Sequence, residues 1–443
     1  MSDVLTLPWT TEEHARRIAI GAGEPSWLLA DRLDGLGLAA SLPIESNMLF
    51  TSYVDLRAAA RLADLEPYVQ TGDATAISAE LPPGAAGLLQ VQEDRVVARA
   101  LAPRLREAGV IVDTFAEVLR SRPVLLERYL ANAPSLPPND RIAQLARGLW
   151  TMGAFVYVPA GVQVEAPIVV RWGAGRAGRG LVSRTLVVLD EGATATVLEE
   201  QDATDLAAAG QSLWWGTLEV RLAPGARLDV AGLQDFGQST VMFVNRHATL
   251  EEGSSLRWAL ASVGAQLQKS RIDNVLLGRG ATVHQAEIGF GSGSQLFDLT
   301  SYTRHIGEDT TGDLLSKGVF LDRARGYFKG LIEIRKSARG TDSFLGEFAM
   351  LLAKRARSVA IPSLEIDQPN VRRASHASSV APIDEAQLFY LQSRGLDRDT
   401  ARRFIVLGFL EPVVARIPLP EAQDRLRTLL DRKWAPLVTA EAA

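Results

Sequence analysis

The stretch Leu186-Val-Val-Leu-Asp-Glu-Gly-Ala193 joins an apolar β run to a turn built on glycine and a small residue. The same turn recurs as Pro224-Gly-Ala226, Glu252-Gly-Ser254 and Arg279-Gly-Ala281, so its glycines stand 33, 28 and 27 residues apart. Further β runs share the stretch: Phe155-Val-Tyr-Val158, Ile168-Val-Val170 and Leu218-Glu-Val-Arg-Leu222. A loose period of this length predicts stacked coils, each burying its apolar face on the next. No helical stretch of matching length interrupts residues 155–366, which argues against alternating βαβ units. An antiparallel sandwich is the other arrangement such runs allow.

Helical segments flank this core. On the N-terminal side, Thr10-Thr-Glu-Glu13 starts one helix, and Trp27, Leu28, Leu33 and Leu36 continue the pattern until Pro43. Residues 84–130 read as short strands and a helix broken near Pro123. Ala133-Pro-Ser-Leu-Pro-Pro-Asn-Asp140 reads as a linker. On the C-terminal side, Asp384 suits an N-cap with Gln387 three residues on, and Gly395 suits the C′ position, giving a helix over 385–394. A second helix starts near Asp397 and a third at Pro420. The expected domains are 1–132 (helical and mixed), 141–380 (β core) and 381–443 (helical).

Composition narrows the function. With 47% hydrophobic and 22% charged residues the chain reads as globular, and a formal net charge of −5 gives no reason to expect nucleic-acid binding. No apolar run approaches the roughly 18 residues of a membrane span, and no signal peptide is legible, so the expected location is the cytoplasm. The chain has no cysteine, which removes disulfides, thiolate ligands and a thiol nucleophile together. The five histidines, at 14, 247, 284, 305 and 376, show no zinc spacing. His284 reads as a solvated or hydrogen-bonded strand histidine sharing a face with Ala286. Gly289-Phe-Gly-Ser-Gly-Ser294 lacks the Lys-Ser/Thr of a phosphate loop and reads as a plain loop. Glu199-Glu200 and Glu251-Glu252 read as solvent-facing. Nothing here composes an active site, and no cofactor held stably is expected.

Four blocks carry a resemblance. Gly23-Glu-Pro-Ser-Trp-Leu-Leu29 with Arg32-Leu33 is the first; Phe155-Val-Tyr-Val-Pro-Ala-Gly161 with Ala166-Pro-Ile168 is the second. The third combines Lys317-Gly-Val319, Ala324-Arg-Gly326, Gly330 and Thr341-Asp342. The fourth and most specific runs from Leu364-Glu-Ile366 through His376-Ala-Ser-Ser379, Gln387-Leu-Phe-Tyr-Leu391 and Arg394-Gly395 to Gly408-Phe409. Together they resemble the SufB/SufD family of iron–sulfur cluster assembly proteins, more closely its SufD branch. The resemblance implies a right-handed parallel β-helix between helical ends, acting as a non-enzymatic scaffold. It implies pairing with SufB through the late coils and docking of SufC, an ABC-type ATPase, on the C-terminal helices. Leu388, Phe389, Tyr390, Arg394, Gly395, Phe404 and Phe409 are the candidate docking residues. Open strand edges also allow a homodimer when SufB is absent.

Where SufB carries a cysteine implicated in assembly this chain has Glu347, and where many SufD chains have a cysteine before the histidine it has Ala374. The resemblance implies that the histidine matching His376 acts at the SufB interface, which makes His376 the candidate ligand for transient iron or a nascent cluster shared with SufB, with Glu347 a weaker one. Neutral imidazole binds iron well, but one ligand does not hold it, so the rest would come from the partner. Two alternatives remain at this stage: a SufB-like scaffold that holds the cluster itself, and a β-helix enzyme acting on polysaccharide.

Overall fold

The computed structural model of the chain describes residues 5, 7–59, 61–68, 79–131, 136–203, 210–415, 417 and 420–440. From Met152–Val158 to Arg373–Pro382, successive strands alternate between two ten-stranded sheets, A and B, so that two strands make one coil. Between the first and last coils, each strand pairs in parallel with the strand one coil before it and one coil after. This is a parallel β-solenoid of about eight turns, and the parallel ladders exclude the antiparallel sandwich. In sheet B, Thr194 lies opposite Arg227, Arg227 opposite Ser255 and Ser255 opposite Thr282. Those steps repeat the glycine intervals of the sequence.

The corner explains why glycine keeps that spacing. Gly192, Gly225, Gly253 and Gly280 all have φ between 63° and 69°, a left-handed conformation that costs other residues about 1–2 kcal/mol. Each N–H donates to a carbonyl one coil on, at 3.0, 2.8, 2.9 and 2.9 Å respectively. The small residues that follow, Ala193, Ala226, Ser254 and Ala281, are fully buried at the inside of the corner. The ladder continues through Asp309 (φ 55°) and Gly340 (φ 73°), followed by buried Thr310 and Thr341. Gly225→Ala should cost about 1–2 kcal/mol by urea denaturation. The nearest atoms to an added Cβ are 3.9 Å away, so the cost is conformational and not steric.

Helical layers cover both outer faces. Helices Ser26–Ser41, Phe115–Ser121, Pro123–Leu130 and Arg141–Leu149 pack with Leu186, Trp215 and Phe243 on sheet A. Helices Arg398–Val414 and Pro420–Ala440 place Val406, Leu410, Leu426 and Trp434 against Leu198, Leu233, Ala259 and Ile288 on sheet B. Each such fully buried aliphatic side chain contributes about 1.5–3 kcal/mol. Ionic contacts register the N-terminal layer: Arg184 bridges Glu219 (2.6 Å) and Asp31 (3.0 Å), and Glu45 lies 3.3 and 3.2 Å from Lys269 and Lys329. Residues 133–135 of the expected linker lie outside the described residues. Leu136 and Asp140 are buried, and Asp140 caps helix Arg141–Leu149 by accepting from the Ala143 N–H at 2.7 Å.

Two expectations are corrected. Glu199 and Glu200 are both buried, because strand alternation sends one to each face and each meets an arginine. Glu199 points inward to Arg246 at 2.6 Å; Glu200 points outward and pairs with Arg171 and with Arg425 of the last helix. Gly289-Phe-Gly is not loop but the end of strand Thr282–Gly291, with only residues 292–294 turning. A Cβ at Gly291 would sit 3.0 Å from both Ala324 and Phe320, so a larger residue there would push the aromatic packing inside by a few tenths of an ångström. Glu251 and Glu252 are exposed, as expected, and His284 lies partly exposed 3.7 Å from Asp313.

Candidate functional site

Among the described residues the last coil has no successor. Strand Arg357–Ile366 pairs only with Arg325–Ile334, and strand Arg373–Pro382 only with Asp342–Leu351. Their other edges offer unpaired backbone groups among the described residues, and Ile366 and Val380 stand partly exposed. A bare edge of this kind is a template for pairing with another chain.

His376 is on that edge. It lies opposite Leu345, whose side chain is buried inside the coil, so in the parallel register it belongs to the same inward column. No further coil covers it, and it is exposed. Glu347 is one strand in and two residues along, opposite Ser378. The two candidate ligands therefore share a face at the solenoid mouth, but their environments differ. Glu347 is 1% exposed, its Oε2 has no hydrogen-bond partner among the described residues, and a Cβ on Gly330 would lie 2.8 Å from its Oε1. Burial pushes its carboxyl up to about 8, against a hydrogen bond from the Ile361 backbone; the nearby Glu287 adds to the rise. Ala374 is in the inward column beside buried Ser343, where it brings no donor. Among the described residues no three His, Asp or Glu side chains converge as a metal site.

Deeper inside, the lumen carries polar groups that sequence reasoning missed. Glu287 is buried and pushed up to about 7 by desolvation, with Arg246 opposing the shift. His305 has Nδ1 2.8 Å from Thr310 Oγ1 and Nε2 3.1 Å from Ser343 Oγ, and burial lowers it to about 4. It is a neutral core histidine. The inward parity of a strand is the signal that would have found these groups. A cleft of about 450 Å³ between residues 46–48, 137–139 and sheet A is lined by His247, Arg271 and Arg304. Its arginines are already paired, Arg271 with Asp140 and Asp273 and Arg304 with Glu333. Burial keeps His247 neutral there.

The C-terminal helices begin beside the mouth. Asp384 caps helix Glu385–Ser393, accepting from the Ala386 N–H at 2.8 Å, and Gly395 follows with φ 95°. Phe389 and Tyr390 on this helix and Phe404 on helix Arg398–Val414 are 74%, 56% and 61% exposed. Beside them Ala386, Gln387, Tyr390, Leu391 and Ile405 line an open groove of about 420 Å³, and Arg394 extends over the Tyr390 ring at 5.2 Å. Leu388 and Phe409 are not on this surface. Leu388 is fully buried, and Phe409 lies half-buried under Lys317, whose Nζ is 4.6 Å from the ring and donates to the Phe409 carbonyl at 2.7 Å.

Residues 172–409 match the family model described as the SufBD core domain of the SUF iron–sulfur cluster assembly system. The chain belongs to the SufBD family. Residues 74–170 match the SufBD N-terminal region. The chain is 25% identical over 431 residues to an iron–sulfur cluster assembly SufBD family protein of Staphylococcus haemolyticus. It is 26% identical over 437 residues to one of Staphylococcus epidermidis, and 26% identical over 431 residues to one of Staphylococcus aureus MRSA252. Each alignment spans 95% of this chain and 92% of the relative. Among the described residues no helix is long and apolar enough to cross a membrane.

Proposed function

We propose that this SufBD family member is a SufD-like, non-catalytic subunit of a cytoplasmic cluster-assembly complex. It pairs with a SufB-type partner through its terminal coil and carries a SufC-type ATPase on the aromatic surface of Phe389, Tyr390 and Phe404. His376, at the junction, helps iron reach a nascent cluster held mainly by the partner. The observation that carries this reading is an uncovered strand edge displaying a histidine in a chain with no cysteine. An imidazole without thiolates lends a ligand and does not hold a cluster alone, which favours the SufD-like over the SufB-like role. Glu347 is the poorer ligand, since burial keeps it protonated at neutral pH.

Co-expression with SufB- and SufC-type partners and purification by a tag on this chain should retain both. Loss of either would sink the reading. His376→Ala lies on an exposed position and should leave the complex intact while lowering iron per complex severalfold. Unchanged iron would remove His376 from the mechanism.

A further inference from the structure

The block Gly23-Glu-Pro-Ser-Trp-Leu-Leu29 with Arg32 takes no part in the function proposed above, yet it builds a groove on the helical layer of sheet A. Helix Glu12–Gly21 turns into helix Ser26–Ser41 there, beside the junction of helices Phe115–Ser121 and Pro123–Leu130. Pro25 and Trp27 from the first turn, Leu119, Arg120 and Pro123 from the second, and Trp150 line a space of about 290 Å³. Trp150 is fixed in advance: the Arg32 guanidinium lies 4.0 Å over its ring, and Phe115 meets it edge-on at 5.3 Å. Arg32 is itself held by the two Glu24 oxygens at 2.7 and 2.6 Å and by the Gly148 and Trp150 carbonyls. Ile20 and Val124, close in the chain to lining residues, are 79% and 76% exposed, so bare apolar surface continues from both turns. The charge has one sign. Glu24 is the carboxylate of the lining, and Arg32 neutralises it. Arg120 is 70% exposed in a surface pair with Glu117, a contact too weak to keep it from a ligand. Arg122, exposed beside Pro123, meets no carboxylate among the described residues.

We propose that this groove docks an extended, proline-containing acidic segment of another protein. A space of about 290 Å³ takes a few side chains of an extended chain, but not an α-helix, which is about 10–12 Å across with its side chains. Proline-rich segments suit grooves walled by aromatic rings, because their polyproline II form is set before binding and loses little entropy. Trp27 and Trp150 supply the rings here, and the prior fixing of Trp150 lowers the ordering cost on the other side. Acidic neighbours of the proline pair with Arg120 and Arg122, whereas a basic segment meets them as like charges. The proline-rich stretch Ala133-Pro-Ser-Leu-Pro-Pro-Asn-Asp140 of a second copy is not the occupant, since Leu136 and Asp140 are buried in place. The occupant is therefore a different protein.

Selection of a random peptide library displayed on phage against the full chain tests this. Enriched peptides should carry proline with aspartate or glutamate beside it. A synthetic copy of the best of them should bind the wild type at least about tenfold more tightly than it binds Trp27→Ala, which removes one wall. The double variant Arg120→Glu, Arg122→Glu changes only exposed side chains, so it keeps the test open if Trp27→Ala does not fold. It should also weaken the peptide by about tenfold, and raising the salt should narrow the difference. Enriched peptides that are basic, or that form amphipathic helices, would overturn the inference. So would binding that survives the charge reversal, or a selection that enriches nothing. None of these outcomes bears on the terminal coil or the C-terminal helices.

Discussion

Lys329→Met is expected to destabilise the protein by about 3–5 kcal/mol, the range seen when one partner of a buried ion pair is removed. Lys329 is fully buried with its Nζ 2.5 Å from Asp298 Oδ1 and 3.2 Å from Glu45 Oε2. Lys269 completes the set, 3.1 Å from Asp298 and 3.3 Å from Glu45. Burial by itself would raise both carboxyls, but the two lysines overcome it and hold Glu45 and Asp298 below the ordinary carboxylate range. Removing one lysine leaves two buried carboxylates facing a single cation. The site also joins two parts of the fold, because Glu45 comes from the N-terminal segment and the other three from sheet A. Urea denaturation should show the loss, with residues 44–53 becoming cleavable by protease. Adding Glu45→Gln to Lys329→Met leaves the neutral pair Lys269–Asp298 and should recover at least about half of it. A loss below about 1 kcal/mol would mean that water already reaches the cluster. The depressed carboxyls also set the sign with pH. Their contribution is present above the unfolded carboxylate pKa of roughly 4 and disappears as pH falls through the lower folded values.

How far the sequence carried depended on whether a residue's role is local. Gly192, Gly225, Gly253 and Gly280 announce the coil because a left-handed corner is a local demand that glycine meets most easily. The next corner went unseen because Asp309 adopts the same conformation, as aspartate can at a tolerable cost. Asp384 and Gly395 placed the helix after the solenoid for the same local reason. Long-range pairing was not legible. Glu199-Glu200 looked like a solvated pair because neither Arg246, on the opposite sheet, nor Arg425, in the last helix, can be assigned to it from sequence. The docking set mixed exposed Phe389 and Tyr390 with buried Leu388, since Leu388-Phe-Tyr-Leu391 is apolar all round and gives no face. The resemblance picked out His376, but only the register shows that it shares the inward face with Glu347 on the neighbouring strand.

Glu347→Gln should make the protein more stable at alkaline pH and leave it nearly unchanged at pH 5. In the folded protein burial pushes the Glu347 carboxyl up to about 8; its ordinary value is 4.5. A raised carboxyl means that the folded state keeps a proton that the unfolded chain has lost. Stability is therefore fully present below about 4.5 and falls at about 1.4 kcal/mol per pH unit until about 8. Linkage over that interval amounts to as much as about 5 kcal/mol, less whatever the terminal coil recovers by admitting water to the ionised group. Glutamine preserves the shape beside Gly330 and can still accept from the Ile361 N–H, but has no proton to lose. Other groups titrate too, so the useful quantity is the difference between variant and wild type. Urea midpoints at pH 5, 7 and 9 should show the two proteins diverging by about 2–5 kcal/mol at the top of the range. Parallel pH profiles would mean that the carboxyl is hydrated and ionised in the native state. That outcome would bear on function as well, because an ionised Glu347 on the same inward face as His376 would be a better oxygen ligand for iron, whereas a protonated one leaves the histidine dependent on its partner.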